Sequence, residues 1–147
     1  MKKTVFLSFL IITSFTFYSF KFTSHSNLKI TVQDIKQLKG NISILIFKSA
    51  EGWPNDYKKA VFAKSIPASS NELEQIVKNL PYGSYAIAIL HDINDNKVAD
   101  KSIFGIPQEP FGFSNYPKLT FGVPDFEDVA FELNTSNKEI VIKMMEI

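Results

Sequence analysis

Residues 80–92, LPYGSYAIAILHD, decide the fold class of this chain. A turn containing Pro81 and Gly83 leads directly into a strong strand at residues 85–90, a succession that is typical of β-sandwich modules. Ala86 and Ala88 share one face of that strand because strand side chains alternate between faces. Small side chains at these positions indicate that another part of the chain packs closely there, and the long loop that follows is the expected candidate.

Three further strands are predicted on the N-terminal side of this stretch. Apolar and polar residues alternate over 28–32, which is the pattern of a half-buried strand. Residues 41–48, NISILIFK, are rich in isoleucine and predict a more buried strand. Turn signals at 52–55 then separate this strand from a third one at 59–66.

Segment 71–80 fits two interpretations. Its apolar residues have helical spacing behind Asn71, which could cap a helix, and Glu74 follows three residues later. However, the segment runs straight into the turn and strand of residues 80–90. We therefore predict a strand here, with a short helix as the alternative.

The C-terminal half combines a long loop with two closing strands. Residues 91–128 show no sustained periodicity and are rich in Gly, Pro and aromatic residues, so we predict a loop that needs an anchor. Strands are predicted at 129–133 and 139–145, on either side of a turn at 134–137. About seven strands predict an all-β fold, a single immunoglobulin-like or transthyretin-like β-sandwich with one long ordered loop.

Composition limits the classes of site that the chain can hold. The 147 residues suit one domain, and 45% hydrophobic with 21% charged residues is a globular composition. The chain has no cysteine, which excludes disulfides, thiolate zinc sites, a cysteine nucleophile and a cysteine-linked lipid anchor. It has two histidines, and His25 lies beside the predicted processing site, so a site built on two imidazoles is not expected in the mature domain.

Residues 1–26 have the layout of a signal peptide. Two lysines precede an apolar stretch that ends in small polar residues, and we predict cleavage after Ser26, leaving a domain at 27–147 that is secreted or periplasmic. An uncleaved membrane anchor is the alternative. Removing the three lysines of this segment leaves 13 basic against 15 acidic residues, a net charge of −2 that argues against nucleic acid as a partner. The expected partner is an envelope or extracellular ligand or protein, and after signal removal the chain is not expected to be an integral membrane protein.

One loop carries a pattern that suits a metal ion. Residues 92–100 read D-x-N-x-N-x-x-x-D, and Ca²⁺ prefers six to eight oxygen ligands, which alternate side chains and a carbonyl can supply from one loop. Calcium is thus the one cofactor that the sequence suggests. Its ligands would be Asp92, Asn94, Asn96, the carbonyl of Val98, Asp100 and Glu109, which arrives from the long loop.

Two residues weaken the calcium interpretation. An EF-hand-type loop has glycine at its sixth position, where this chain has Lys97, and a carboxylate at its twelfth, where it has Ile103. Lysine disfavours the left-handed backbone conformation required for the sharp turn. The alternative is that the Asp and Asn side chains cap turns at a strand end.

Other candidate chemistry is less specific. His91 beside Asp92 could act as a general base with Ser114 as nucleophile, although no nucleophile elbow accompanies them. An enzyme acting on envelope polysaccharide or peptide through the loop from His91 to Glu109 is the alternative to a non-enzymatic binding or structural module, which we favour. Aromatic residues could form a binding platform or pack the loop onto the sheet; they are Trp53, Phe111, Phe113, Tyr116 and Phe121.

Several motifs together resemble one family of exported bacterial proteins. They are YAIAILHD at 85–92, FGIP at 104–107, GFSN at 112–115 and PDFED at 124–128. On these motifs the chain resembles the DUF2141 family over essentially its whole predicted mature length. The resemblance implies a β-sandwich and no assigned activity. The family's Asp and Asn positions and its loop Glu match this chain, but glycine usually stands where Lys97 is, and a larger apolar residue where Ala99 is.

Overall fold

The computed structural model describes residues 24–100, 102–103, 108–115 and 123–145. Within these ranges eight strands form two sheets, accompanied by one short helix. The elements are β1 (His25–Gln33), β2 (Asn41–Phe47), β3 (Phe62–Pro67), β4 (Leu73–Pro81), β5 (Gly83–Asp92), β6 (Phe111–Phe113), α1 (Phe126–Val129), β7 (Phe131–Leu133) and β8 (Asn137–Lys143).

The smaller sheet has the order β4-β1-β8. Its central strand β1 pairs antiparallel with β4 and parallel with β8. Leu28 and Ile30 are fully buried against the other sheet, as the alternation predicts, and Lys29 lies on the outer face. There the ammonium of Lys29 contacts Glu74 on β4 and Glu139 on β8, which raises the pKa of Lys29.

The larger sheet has the order β3-β2-β5-β6, and β7 also pairs with β5. Strand β5 is buried on both faces, which explains its continuous apolar sequence. Tyr85 and Ile87 point into the main core between the two sheets. Ala86 and Ala88 instead belong to a second core on the outer face of the larger sheet.

The second core is organised around the single tryptophan of the chain. The Trp53 ring lies edge-on to Phe47 at 5.4 Å and to Phe126 of α1 at 6.0 Å between ring centroids. Its indole N–H donates to the carbonyl oxygen of Pro124 at 2.8 Å. The segment around Trp53 and helix α1 therefore cover one part of the outer face.

The predicted all-β, sandwich-like architecture is confirmed, with eight strands in place of about seven. The strand interpretation of 71–80 is confirmed by β4. The third strand begins at Phe62 and the last one ends at Lys143, so the predicted bounds of 59–66 and 139–145 were each shifted by a few residues.

The prediction of an unbroken loop over 91–128 was wrong, because it contains β6 and the start of α1. Residue 129, predicted in a strand, belongs to that helix, and the strand starts at Phe131. Strand β6 has only three residues and forms through pairing with the distant strand β5, so it leaves no local periodicity. Its middle residue is Gly112, where an added Cβ would lie 2.7 Å from a methyl carbon of Ile142.

The predicted signal segment falls almost entirely outside the described residues, which begin at Ser24. Strand β1 already includes His25 and Ser26, which pair with Pro81 and Leu80. A cut after Ser26 would therefore remove two paired residues from the strand. In the described part of the chain, no helix has both the length and the apolar character needed to cross a membrane.

Candidate functional site

The predicted metal loop, residues 92–100, begins where β5 ends, and we name it the Asp/Asn loop. At the base of this loop, the segment before β2 passes very close to the end of β5. Gly40 in that segment has φ +70°, and an added Cβ there would lie 2.0 Å from the carbonyl oxygen of Asp92. Beside it, the buried His91 ring places Nε2 2.7 Å from the carbonyl oxygen of Lys39. Only glycine fits at position 40, and the close approach of the two segments holds the loop's first residue in place.

Side-chain oxygens at alternate positions cap the backbone of the Asp/Asn loop. The buried carboxylate of Asp92 accepts hydrogen bonds from the backbone N–H groups of Asn96 at 3.1 Å and Lys97 at 2.8 Å. Oδ1 of Asn94 accepts from the N–H of Asn96 at 3.0 Å, and Oδ1 of Asn96 accepts from the N–H of Val98 at 2.8 Å. Each of these contacts is a local turn cap.

Asp100 and Glu109 close the loop. The side-chain amides of Asn94 and Asn96 donate to the two carboxylate oxygens of Asp100 at 2.6 and 2.9 Å. Glu109, only 4% exposed, accepts from the backbone N–H of Ile93 at 3.0 Å and from that of Asp100 at 3.3 Å. Glu109 therefore ties the two ends of the loop together, and it does so through backbone N–H groups.

Two residues of the loop have left-handed backbone conformations. Asp95 has φ 57° and Lys97 has φ 62°. The carboxylate of Asp95 accepts a hydrogen bond from the side chain of Asn41 at 2.9 Å. Position 97 thus takes the sharp turn for which EF-hand-type loops use glycine, although the residue is lysine.

Of the six predicted calcium ligands, the structure joins the side chains of Asn94, Asn96 and Asp100 directly by hydrogen bonds. Asp92 and Glu109 contact the loop through its backbone N–H groups, and Val98 donates its N–H to Asn96. The carboxylate oxygens accept N–H groups in this arrangement. Within the described ranges no three His, Asp or Glu side chains are grouped to hold a metal. Calcium would therefore require Asp100 to exchange its two amide hydrogen bonds for metal ligation.

A groove of about 530 Å³ lies beside the loop on the outer face of the larger sheet. Its floor is two rows of side chains that the strand register places across four strands: Ala63–Leu45–Ala88–Phe113 and Ser65–Ser43–Leu90–Phe111. The floor is low over β3, β2 and the start of the β5 contribution, because Ala63, Ser65, Ser43 and Ala88 have small side chains. Tyr57, Pro54 and Val123 also line the groove, as do Asp92, Lys97 and Asp100 of the Asp/Asn loop.

The remaining sequence candidates have structural contacts. The hydroxyl of Ser114, fully buried, donates to the carbonyl oxygen of Val129 at 2.7 Å and accepts from the N–H of Ile87 at 2.9 Å. Among the aromatic candidates, Trp53 packs in the second core, and Phe111 and Phe113 line the groove. Tyr116 and Phe121 lie outside the described residues.

The groove was not predicted from the sequence. Its floor depends on Ser43, Ala63 and Ser65, whose alternation along β2 and β3 is the signal that could have revealed it. That signal becomes informative only when the pairing partner of each strand is known, because only the register places these small side chains beside one another.

Comparison with known proteins identifies one family. Neither the curated proteins nor the solved structures include a match to this chain. The family model described as "Uncharacterized protein conserved in bacteria (DUF2141)" matches residues 30–141, which cover both sheets, the Asp/Asn loop and the groove. The chain therefore belongs to the DUF2141 family.

Proposed function

We propose that this chain is a non-enzymatic binding module that works outside the cytoplasm and takes a ligand in the groove. The observation that carries this proposal is a groove of about 530 Å³ on the outer face of the larger sheet, lined in part by a loop with a dense hydrogen-bond network. This volume falls in the range of small-molecule sites, about 300–1,000 Å³. Work outside the cytoplasm is supported by the signal-like sequence of residues 1–26.

The hydrogen bonds of the candidate catalytic side chains favour binding over catalysis. His91 contacts the Lys39 carbonyl oxygen, and both oxygens of Asp92 accept backbone N–H groups. The hydroxyl of Ser114 is buried between two backbone groups. A general base or nucleophile must reach a substrate atom, and these side chains are instead used to hold the fold.

The groove can be tested with a neutral apolar dye before the ligand is identified. Nile red should bind the folded domain, and Ala63→Phe should weaken that binding at least tenfold, because Ala63 is exposed on edge strand β3 and a phenyl group there would fill the groove. Val141→Phe is the matched control, since Val141 is 52% exposed on the other sheet. Equal dye binding by both variants would show that the groove is not the binding site.

We further propose that calcium orders the Asp/Asn loop, with Asp92, Asn94, Asn96, the Val98 carbonyl, Asp100 and Glu109 as ligands. Two observations support it. The left-handed backbone at Lys97 provides the turn that a calcium loop needs at this position. The side chains of Asn94, Asn96 and Asp100 already meet through hydrogen bonds, and Asp92 and Glu109 accept backbone N–H groups of the same loop.

Thermal unfolding in excess calcium and in chelator tests this second proposal. A ligand at about 100 times its Kd stabilises the folded state by about 2.7 kcal/mol, so the midpoint should rise by several degrees. Asp92→Ala and Asp100→Ala should each abolish that rise, while the exposed control Glu132→Ala on β7 should keep it. If calcium leaves the midpoint unchanged and the two variants still destabilise the domain, these carboxylates act as turn caps alone.

A further inference from the structure

Strand β3 forms an open edge of the larger sheet, and in the described part of the chain it pairs with β2 alone. The N–H of Ala68 donates to the carbonyl oxygen of Gly40 at 3.0 Å, and in an antiparallel ladder every second pair is hydrogen-bonded. In the register of β2 and β3, Lys64 is therefore hydrogen-bonded to β2, whereas Ala63 and Ser65 are not. The N–H and C=O groups of these two exposed residues thus point outward, where another strand can pair with them.

The edges of the smaller sheet are better protected against pairing. Three of the seven residues of β8 are charged, the pairing of β1 with β4 contains a register shift, and Asn79 of β4 has a left-handed backbone. Charges and irregular backbone are the usual means by which edge strands avoid a partner. Strand β3 has one charged residue, Lys64, and Pro67, which lacks an N–H, ends its row of donors. β3 is therefore the more favourable edge for an added strand, over the short stretch before Pro67.

The ammonium of Lys64 has a defined position between the two sheets. Phe62 and Ile66, two residues away on either side, pack against the main core, so Lys64 shares their inward face. Its ammonium donates to Oε1 of Gln75 on β4 at 2.7 Å, and no carboxylate of the described residues pairs with it. On an added strand, an apolar side chain beside Lys64 would desolvate this charge, whereas a carboxylate would neutralise it. Lys64 therefore selects an acidic residue at that position.

Ala63 and Ser65 lie on the opposite face of β3, at the start of the two rows that form the floor of the groove. Side chains of an added strand that stand beside these residues lie on the same face. The small side chains at 63 and 65 leave space above them, and Leu45 and Ala88 continue the apolar floor. Large apolar side chains would bury the most area there. The two faces of β3 thus favour opposite chemistry, with apolar residues over the groove and an acidic residue between them.

We propose that the ligand of the groove is an extended peptide segment of another protein, which pairs with β3 and carries the pattern apolar–acidic–apolar opposite residues 63–65. This inference rests on the proposed binding function and names the class of partner. An antiparallel orientation is assigned because it is slightly more stable per residue than a parallel one. In that pose the N–H groups of the two apolar residues face β3, and the N–H of the acidic residue faces away. A second copy of this chain is disfavoured, since the same pairing of β3 with itself would bring two Lys64 side chains together.

The side-chain pattern is tested with a fluorescein-labelled peptide that has Leu-Glu-Leu at its centre between Gly-Ser flanks. The peptide should bind the folded protein and displace Nile red, because its leucines would occupy the groove. A Leu-Lys-Leu peptide should bind about two- to tenfold more weakly, the range expected when an exposed ion pair becomes a like-charge pair. Lys64→Glu should reverse the order of the two peptides, and Lys143→Glu on β8 should preserve it as the charge-matched control.

N-methylated peptides test the backbone pairing separately from the side chains. Methylating the N–H groups of both leucines removes the donors that face β3 and should weaken binding about tenfold or more. Methylating the N–H of the glutamate, which faces away from β3, should leave binding intact and is the matched control. Ser65→Pro removes an outward N–H of the protein without breaking a hydrogen bond to β2, and it should weaken the peptide as the methylated leucines do.

The outcomes separate the two levels of the proposal. If Nile red binds but the Leu-Glu-Leu peptide fails to displace it, or the two kinds of methylated peptide bind alike, the peptide inference is wrong while the groove remains a binding site. An unchanged order of the peptides in Lys64→Glu overturns the acidic position. A dimer of the protein alone that Ser65→Pro dissociates would assign the edge to a second copy and also overturn the inference. If Nile red does not bind to the folded protein, the proposed binding function itself fails.

Discussion

The backbone of Lys97 shows how a network of hydrogen bonds can override a residue's own preference. A left-handed conformation brings the Cβ of an L-residue close to the carbonyl oxygen that follows it, at a cost of about 1–2 kcal/mol. Asp and Asn tolerate this conformation better than lysine does. Asp92 accepts the N–H groups of both Asn96 and Lys97, and these bonds hold the turn. Residue type alone therefore does not predict the left-handed turn at Lys97, because the turn depends on these hydrogen bonds.

Replacing Lys97 by glycine should relieve this strain. We expect Lys97→Gly to raise the free energy of unfolding by about 0.5–1 kcal/mol, the relief being partly offset by the greater entropy of glycine in the unfolded chain. Asp95→Gly should bring no gain, because aspartate tolerates its φ of 57° and the change removes the hydrogen bond from Asn41. Urea denaturation measures both. An equal gain at the two positions would show that strain at Lys97 is not specific.

The phenol of Tyr85 supports the turn that leads into β5. It is 1% exposed and donates a hydrogen bond to the carbonyl oxygen of Pro81 at 2.7 Å. Burial raises the pKa of Tyr85 above its ordinary value of 10.0, because the charged phenolate loses solvation. The neutral phenol is therefore favoured in the folded state. Its contribution to stability is complete below pH 10 and is lost as the pH rises through the folded-state pKa.

Tyr85→Phe should lower the free energy of unfolding by about 1–2 kcal/mol at pH 7, since it removes the hydrogen bond to the partly buried Pro81 carbonyl. The wild-type stability should begin to decline near the ordinary tyrosine pKa of about 10 and should fall further as the pH rises through the folded-state pKa. The decline should be shallower in the variant. Urea titrations at several pH values provide the measurement, with the exposed Tyr57→Phe as control. A variant with the wild-type pH profile would contradict the assignment to Tyr85.

At the scale of elements, strands with local sequence patterns were predictable and those made by distant pairing were not. The alternation in β1 and the isoleucine-rich β2 carry their own signal. β6 depends on register with β5, and the four residues of α1 are too few to show a helical period. The Asp/Asn loop could be located from side-chain spacing, because a loop that caps itself draws its partners from nearby sequence.

Strand β1 predicts how stability depends on the N-terminus. Ser26 pairs with Leu80, and the carbonyl oxygen of Ser24 accepts the N–H of Tyr82 at 2.9 Å. A chain beginning at Ser24 should therefore be more stable than one beginning at Asn27 by about 1–3 kcal/mol, the loss of one to two backbone hydrogen bonds and a buried side chain. Thermal or urea unfolding of the two chains gives the comparison. Equal stabilities would mean that the first residues of β1 contribute little to the fold.

At the scale of the whole molecule, one sheet supports two cores and the candidate site. The main core fills the space between the sheets, and the second core covers part of the outer face of the larger sheet. The groove is the neighbouring part of that outer face. The sequence predicted close packing at Ala86 and Ala88, but not which part of the face would be covered. That outcome depends on how Trp53 and Phe126 meet across the fold.

Because β5 belongs to both cores, we expect them to unfold together. Tyr85 and Ile87 face the main core while Ala86 faces the second, so the second core cannot persist once β5 leaves the sheet. Trp53 reports on the second core by fluorescence, and far-UV circular dichroism reports on the sheets. The two urea transitions should coincide, as they do for a two-state domain.

Phe126→Ala, which truncates a ring 8% exposed, should shift both midpoints by the same amount, corresponding to about 3–5 kcal/mol. If the fluorescence transition moves to lower urea while the circular dichroism transition stays in place, the outer core is a separate unit. The stability of the groove would then depend on the larger sheet and not on the second core.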